Sequence, residues 1–122
     1  MSEAKFIEHK GRRILLMDFS NTREKENVLD TCERIKELAR REPPESVYGL
    51  VDISNSPFDT EIAQALKETA KHNKPYMKVT ATVGVHGVRM VILRAIMAFS
   101  GRKNFVLKDT REEALDWLAE QK

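Results

Sequence analysis

The order of its predicted elements constrains this chain more than any single motif does. Two short β-like runs are followed by a helix, after which strands and helices alternate to the end of the sequence. Such alternation is typical of α/β folds, in which helices cover a largely parallel sheet. We therefore expect an α/β fold with a mixed sheet of about five strands, an N-terminal antiparallel hairpin and about four helices.

Length and charge narrow the class of protein further. The chain has 122 residues, which is enough for one hydrophobic core, so we expect a single domain over residues 1–122. Its 21 Lys and Arg against 19 Asp and Glu leave a formal net charge of +2. A charge this small does not favour nucleic acid as a partner.

The sequence shows no signal peptide and only one cysteine, a pattern typical of a cytoplasmic protein. The first residues lack the continuous apolar segment of a signal peptide. The longest apolar stretch, residues 88–99, contains two arginines and is too short to span a bilayer. Cys32 falls on the apolar side of a predicted helix, where a cysteine usually packs as a small hydrophobe. We expect a cytoplasmic location and no membrane span.

The first half of the chain predicts a hairpin, a helix and a buried strand. Residues 6–19 read as two antiparallel strands at a sheet edge, with Gly11 in the turn. Asn21 is a candidate N-cap for a helix that begins near Thr22. The apolar run over residues 47–53 predicts a buried parallel strand at the centre of the sheet.

The second half predicts three helices and two strands. The second helix begins either after a Ser56 cap or after an Asp59 cap, and both starts fit the sequence. A strand follows over residues 77–85, then a helix over residues 88–100 that is apolar nearly all round, then a short strand over residues 104–107. Thr110 with Glu113 forms a capping box for the last helix.

No group of residues in the sequence requires catalysis, a metal or a cofactor. The three histidines, His9, His72 and His86, lack partners at metal-ligand spacing. No nucleophile motif is present, and the glycines at positions 84 and 87 favour a tight turn over a nucleotide loop. We interpret four basic residues near the end of the chain as a solvated face, because acidic residues interrupt them: Arg102, Lys103, Lys108 and Arg111. The chain is not expected to be an enzyme.

The best candidate site is the polar segment after the third strand, residues 52–60, which we call the elbow. A parallel strand that leads into a helix N-terminus brings backbone N–H groups and polar side chains together at the sheet edge. Its candidate partner-binding residues are Asp52, Ser54, Asn55, Ser56 and Asp59. The alternative is that these side chains only cap local amides.

The elbow also carries a resemblance to a known family. The sequence LVDIS at residues 50–54, followed by FDT at residues 58–60, resembles the STAS domain of anti-sigma-factor antagonists, and in particular the SpoIIAA-like proteins. The resemblance implies a regulatory protein-interaction domain and makes Thr60 a candidate phosphoacceptor. Glu61 and Ile62 replace the Ser-Gly pair of the family's pattern, and the Glu61 carboxylate would repel an incoming phosphate.

The apolar helix over residues 88–99 needs more cover than one sheet face provides. Its surplus apolar face is assigned to Met90, Leu93, Met97 and Phe99. This face would support a homodimer or line a pocket for an apolar or lipid-like ligand, as comparison of the SpoIIAA-like fold with lipid-binding CRAL-TRIO domains suggests. The favoured function is a non-enzymatic interaction domain with a protein partner; the alternative is a small-molecule carrier.

Overall fold

The computed structural model describes residues 2–100 and 104–121, and of residues 96, 97, 99 and 100 it describes the backbone only. The chain begins with a hairpin of β1 (Glu3–His9) and β2 (Arg12–Asp18), which pair antiparallel from Glu3 opposite Asp18 to His9 opposite Arg12. Both turn residues have positive φ, 50° at Lys10 and 82° at Gly11. Two such residues form the turn that matches the twist of a two-residue hairpin, so the predicted hairpin is confirmed.

The remaining strands add to the hairpin in chain order. The sheet runs β1-β2-β3-β4-β5, with β3 (Val47–Asp52), β4 (Met77–Val83) and β5 (Phe105–Leu107). Among the described strands, β2 to β5 are parallel and β1 runs antiparallel to β2. The expectation that β3 lies at the centre is confirmed. The carboxyl ends of β2, β3 and β4 consequently meet at one edge of the sheet.

Helices cover both faces of this sheet. One layer contains α1 (Lys25–Ala39), α2 (Thr60–Asn73) and α3 (Val88–Ser100), and the other contains α4 (Arg111–Glu120). Strand β2 shows why both layers are needed, because it has four consecutive buried apolar residues. Leu15 and Met17 pack under the three-helix layer, whereas Ile14 and Leu16 pack with Ala114 and Leu118 of α4.

Helix α1 packs as its sequence predicts but starts later. Val28, Cys32, Ile35 and Ala39 are buried, and burial raises the pKa of the Cys32 thiol. The prediction of an Asn21 cap and a start near Thr22 is wrong, since α1 begins at Lys25. Asn21 instead has a φ of 52°, and its N–H donates to the Ser54 carbonyl at 2.9 Å. This tertiary hydrogen bond delays the start of the helix.

The N-caps of α2 and α4 can be compared with the caps predicted from the sequence. Asp59 caps α2 by accepting a hydrogen bond from the Ile62 N–H at 2.8 Å, so the Ser56 alternative is wrong. Thr110 caps α4 by accepting from the Glu113 N–H at 3.1 Å, as predicted. Strand β4 ends at Val83, two residues before its predicted end, where Gly84 adopts a φ of 83°.

Candidate functional site

The elbow is fixed to the fold by buried polar side chains. Asp52 is buried, and its Oδ1 accepts from the Ser54 N–H at 3.0 Å, while its Oδ2 accepts from Nη2 of Arg111 at 2.7 Å. Ser56 is also buried and donates from its hydroxyl to the Ile53 carbonyl at 2.9 Å. Buried polar groups with internal partners hold a loop in one conformation. Asp52 and Ser56 therefore anchor the elbow from inside.

Arg111, at the start of α4, ties the ends of two strands together. Besides its two hydrogen bonds to Asp52, its Nη2 lies 3.2 Å from an Asp18 carboxylate oxygen. Burial opposes the charge on Arg111, but Asp52 and Asp18 outweigh it and raise the pKa of the guanidinium. Burial likewise raises the pKa of Asp18, and hydrogen bonds from Ser20 together with Arg111 more than reverse this, leaving the pKa below its ordinary value.

The basic face expected near the end of the chain is therefore not simply solvated. Arg111 binds two carboxylates, and Lys108 places its Nζ 5.5 Å from the centre of the Trp117 ring. Arg102 and Lys103 lie outside the described residues. The sequence around Arg111 does not predict its partners, because Asp52 is 59 residues away in the chain.

The outer part of the elbow is accessible. Asn55, Asp59 and Thr60 are exposed, and Ser54 is half-buried. Asn55 has a φ of 55°, and its side-chain amide donates to the Asn21 side chain at 3.1 Å. The structure thus divides the five predicted partner-binding residues into two buried anchors and three accessible side chains, with Thr60 beside the latter.

A cation next to Thr60 balances the charges at the start of α2. Nζ of Lys25 lies 2.9 Å from an Asp59 carboxylate oxygen and 2.8 Å from a Glu61 carboxylate oxygen. Hydrogen bonds to Glu61 and then to Asp59 raise the pKa of Lys25. The Ile62 N–H and then Lys25 lower the pKa of Asp59. Thr60 therefore lies between two carboxylates that share one ammonium group.

A cleft opens between the elbow and the start of α3. It has a volume of about 420 Å³, and we call it the Arg89 cleft: Ser54, Asn55, Gly84, His86 and Arg89 line it. Its two walls touch at Gly84, where an added Cβ would lie 2.5 Å from the Ser54 backbone nitrogen. The guanidinium of Arg89 lies 5.4 Å from the centre of the Phe58 ring.

Of the four residues assigned to the surplus apolar face of α3, the structure describes two side chains. Leu93 is buried in the core, and Met90 is half-buried against the same core. The side chains of Met97 and Phe99 lie outside the described part of the chain. Among the described side chains, the large hydrophobics that are exposed are Val88 and Val91, at 71% and 68%. These two residues give the amino end of α3 an accessible apolar surface.

The remaining sequence candidates have ordinary structural roles. His9 lies 2.7 Å from an Asp116 oxygen, and Nδ1 of His72 lies 2.9 Å from the Asn73 side-chain oxygen. Within the described residues, no group of three His, Cys, Asp or Glu side chains is placed to hold a metal ion. The described helices also include none that is long and apolar enough to cross a membrane.

Comparison with known proteins supports the fold. A solved structure of an anti-sigma-factor antagonist (STAS) domain protein from Planctomyces limnophilus is similar to this chain, with a TM-score of 0.63 and 15% sequence identity. The similarity covers 97% of this chain and 99% of that chain. No protein-family profile and no curated protein sequence matches. The STAS/SpoIIAA-like fold that the elbow sequence predicted is thereby confirmed, and the likeness is one of fold.

Proposed function

We propose that this STAS-fold chain is a non-enzymatic regulatory domain that recognises a protein partner through the accessible part of its elbow. The observation that carries the proposal is the contrast within the elbow between buried anchors and exposed tips. Asp52 and Ser56 are buried and internally bonded, while Asn55, Asp59 and Thr60 face outward. Rigid support for exposed polar groups lowers the entropy cost of binding a partner.

Thr60 is the proposed regulatory position of this surface. It is exposed at the first residue of α2, and the charges beside it come from Asp59, Glu61 and Lys25. A phosphate on Thr60 would gain from the helix N-terminus and from Lys25, and would be opposed by the two carboxylates. A change of charge at this position would alter the surface offered to the partner without reaching the buried anchors.

The carrier alternative receives less support from the core. The cavity between the sheet and the three-helix layer, bordered by Met17, Ile35 and Leu93 among others, has a volume of about 50 Å³. Pockets for small organic ligands are usually roughly 300 Å³ or larger. The described core therefore has space for a few atoms and favours the interaction domain over the carrier.

Site-specific photo-crosslinking in the native cells tests the proposal. A photoreactive residue in place of Asn55 should give a discrete adduct with one protein, and the same residue in place of Lys74 should not. Lys74 is the matched control because it is exposed and follows α2, at the opposite end of that helix from the elbow.

A second substitution makes the test specific to the proposed surface. Thr60→Glu should remove the Asn55 adduct, whereas Thr60→Ser should retain it, because only the first adds a charge. Adducts of equal yield from positions 55 and 74, or an adduct unaffected by Thr60→Glu, would contradict recognition by the elbow.

A further inference from the structure

Arg89 has no carboxylate partner among the described residues, unlike two other cations near the same edge of the sheet. Lys25 binds Asp59 and Glu61, and Arg111 binds Asp18 and Asp52. Arg89 makes no ion pair with any residue in the described ranges, and its guanidinium lies over the Phe58 ring, 5.4 Å from the ring centre. A cation–π contact uses the charge of a guanidinium but not its N–H groups, which can still donate to an anion.

The Arg89 cleft offers donors and no competing negative charge. Its other lining residues supply a hydroxyl, an amide and an imidazole, from Ser54, Asn55 and His86, and the lining includes no Asp or Glu. Its volume of about 420 Å³ exceeds that of one carboxylate side chain. The close approach of Gly84 to the Ser54 backbone places the elbow and the loop before α3 side by side.

An exposed aliphatic side chain precedes Arg89 at the start of α3. This residue is Val88, which is 71% exposed. Exposed apolar side chains beside a charged group are typical of the parts of a surface that bind proteins. The cleft thus offers hydrogen-bond donors and a positive charge, and the start of α3 beside it offers an aliphatic side chain. A ligand that contacts both carries a negative charge next to an apolar group.

We propose that the Arg89 cleft binds a glutamate or aspartate side chain of a partner protein, with an aliphatic neighbour of that residue on Val88. This inference rests on the proposed function, since it specifies the chemistry of the partner. A second copy of this chain fits the cleft less well when the two α3 helices face each other. Residues 88–100 contain Arg89 and Arg94 and no acidic residue, so a symmetric α3 contact would bring like charges together.

The experiment uses a defined peptide, so it does not depend on knowing the partner. The full chain labelled with ¹⁵N is titrated with a blocked peptide in which one Glu lies between leucines, and with the same peptide carrying Gln. We expect the Glu peptide to shift the amide signals of Ser54, Gly84, His86 and Arg89 at millimolar concentration, and the Gln peptide to bind at least about tenfold more weakly.

Two arginine variants of the same helix provide the matched control. Arg89→Gln should weaken the Glu peptide by about tenfold or more and should leave the Gln peptide unchanged. Arg94→Gln removes an equal charge from an exposed position that does not line the cleft, and it should leave both affinities unchanged. Unchanged amide dispersion in each variant shows that both remain folded.

Three results would overturn the inference. They are equal binding of the two peptides, equal losses from the Arg89 and Arg94 variants, and saturation of the cleft by inorganic phosphate below the concentration at which the Glu peptide binds. The last result would assign the cleft to a small anion. Peptide binding at Arg89 together with no partner in the crosslinking experiment would contradict the proposed function separately, because the peptide measures the cleft alone.

Discussion

Two arginines at the carboxyl edge of the sheet have opposite surroundings. Arg111 lies on the α4 side, where its guanidinium contacts Asp52 at 2.7 Å and Asp18 at 3.2 Å. Arg89 lies on the α3 side, in a cleft without carboxylates, and follows the exposed Val88 in the chain. A paired, partly buried arginine contributes to the fold, whereas an arginine whose donors face an open cleft is available to another molecule. The charge of a residue therefore says less about its role than the groups that surround it.

The largest expected effect concerns the wall between the Arg89 cleft and the elbow. Gly84→Ala should lower the free energy of unfolding by about 3 kcal/mol, because it combines a left-handed backbone with overlap of Ser54. Gly87→Ala is the matched control, with a φ of 61° and open space around its added Cβ, and should cost about 1 kcal/mol. Urea denaturation of both variants measures the difference. Equal losses in the free energy of unfolding for the two variants would show that the contact between Gly84 and Ser54 does not stabilise the fold.

A second prediction compares the arginines directly. Arg111→Met should lower the free energy of unfolding by about 2 kcal/mol, because it leaves the Asp52 carboxylate buried without its cation. The cost is below that of a fully buried pair since the Arg111 side chain is 38% exposed. Arg89→Met should change stability by less than about 0.5 kcal/mol. The comparison fails if thermal or urea denaturation gives the two variants similar losses.

The smallest expected effect is the response to acid. Asp18 has a lower pKa in the folded protein than its ordinary value, so its charge stabilises the fold above that value. This stabilisation is lost as the pH falls through the folded-state pKa. Asp18→Asn should therefore be less stable than the wild type at pH 7, by less than Arg111→Met, and the difference should shrink below about pH 4.

Urea midpoints over a pH series measure this effect, and Arg89→Met serves as the control. Its midpoint should follow that of the wild type at every pH, because Arg89 pairs with no described carboxylate. A constant difference between Asp18→Asn and the wild type from pH 7 to pH 3 would show that the Asp18 charge contributes nothing.

Local sequence was sufficient where short-range geometry decides the structure. Lys10 and Gly11 between two apolar runs predicted the hairpin, and the Thr110 cap needed only the residues that follow it. The elbow sequence likewise identified the fold. The start of α1 was wrong because the Ser54 carbonyl, from another loop, binds the Asn21 N–H. The role of Arg111 was missed for the same physical reason, since its partners are distant in the chain.

The candidate site was predicted in position but not in detail. The elbow lies at the sheet edge as expected, yet alternation along β3 does not reveal that Asp52 is buried under Arg111. Leu93 was assigned to a face for a dimer or an apolar ligand, and the structure buries it in the core while Val88 and Val91 are exposed. In a helix that is apolar on nearly all sides, the periodicity of the sequence does not show which side faces the core. The elements that the helix packs against determine that side.

The strand order of the sheet has a consequence for how the protein is made. Because each strand pairs with the one before it, the sheet can grow by one strand at a time as the ribosome delivers the chain. Helix α4 is the exception, since among the described residues it is the helix that covers the face formed by Ile14, Leu16 and Leu50. That face lacks this cover until α4 has been synthesised, and only then can Arg111 reach the buried carboxylate of Asp52.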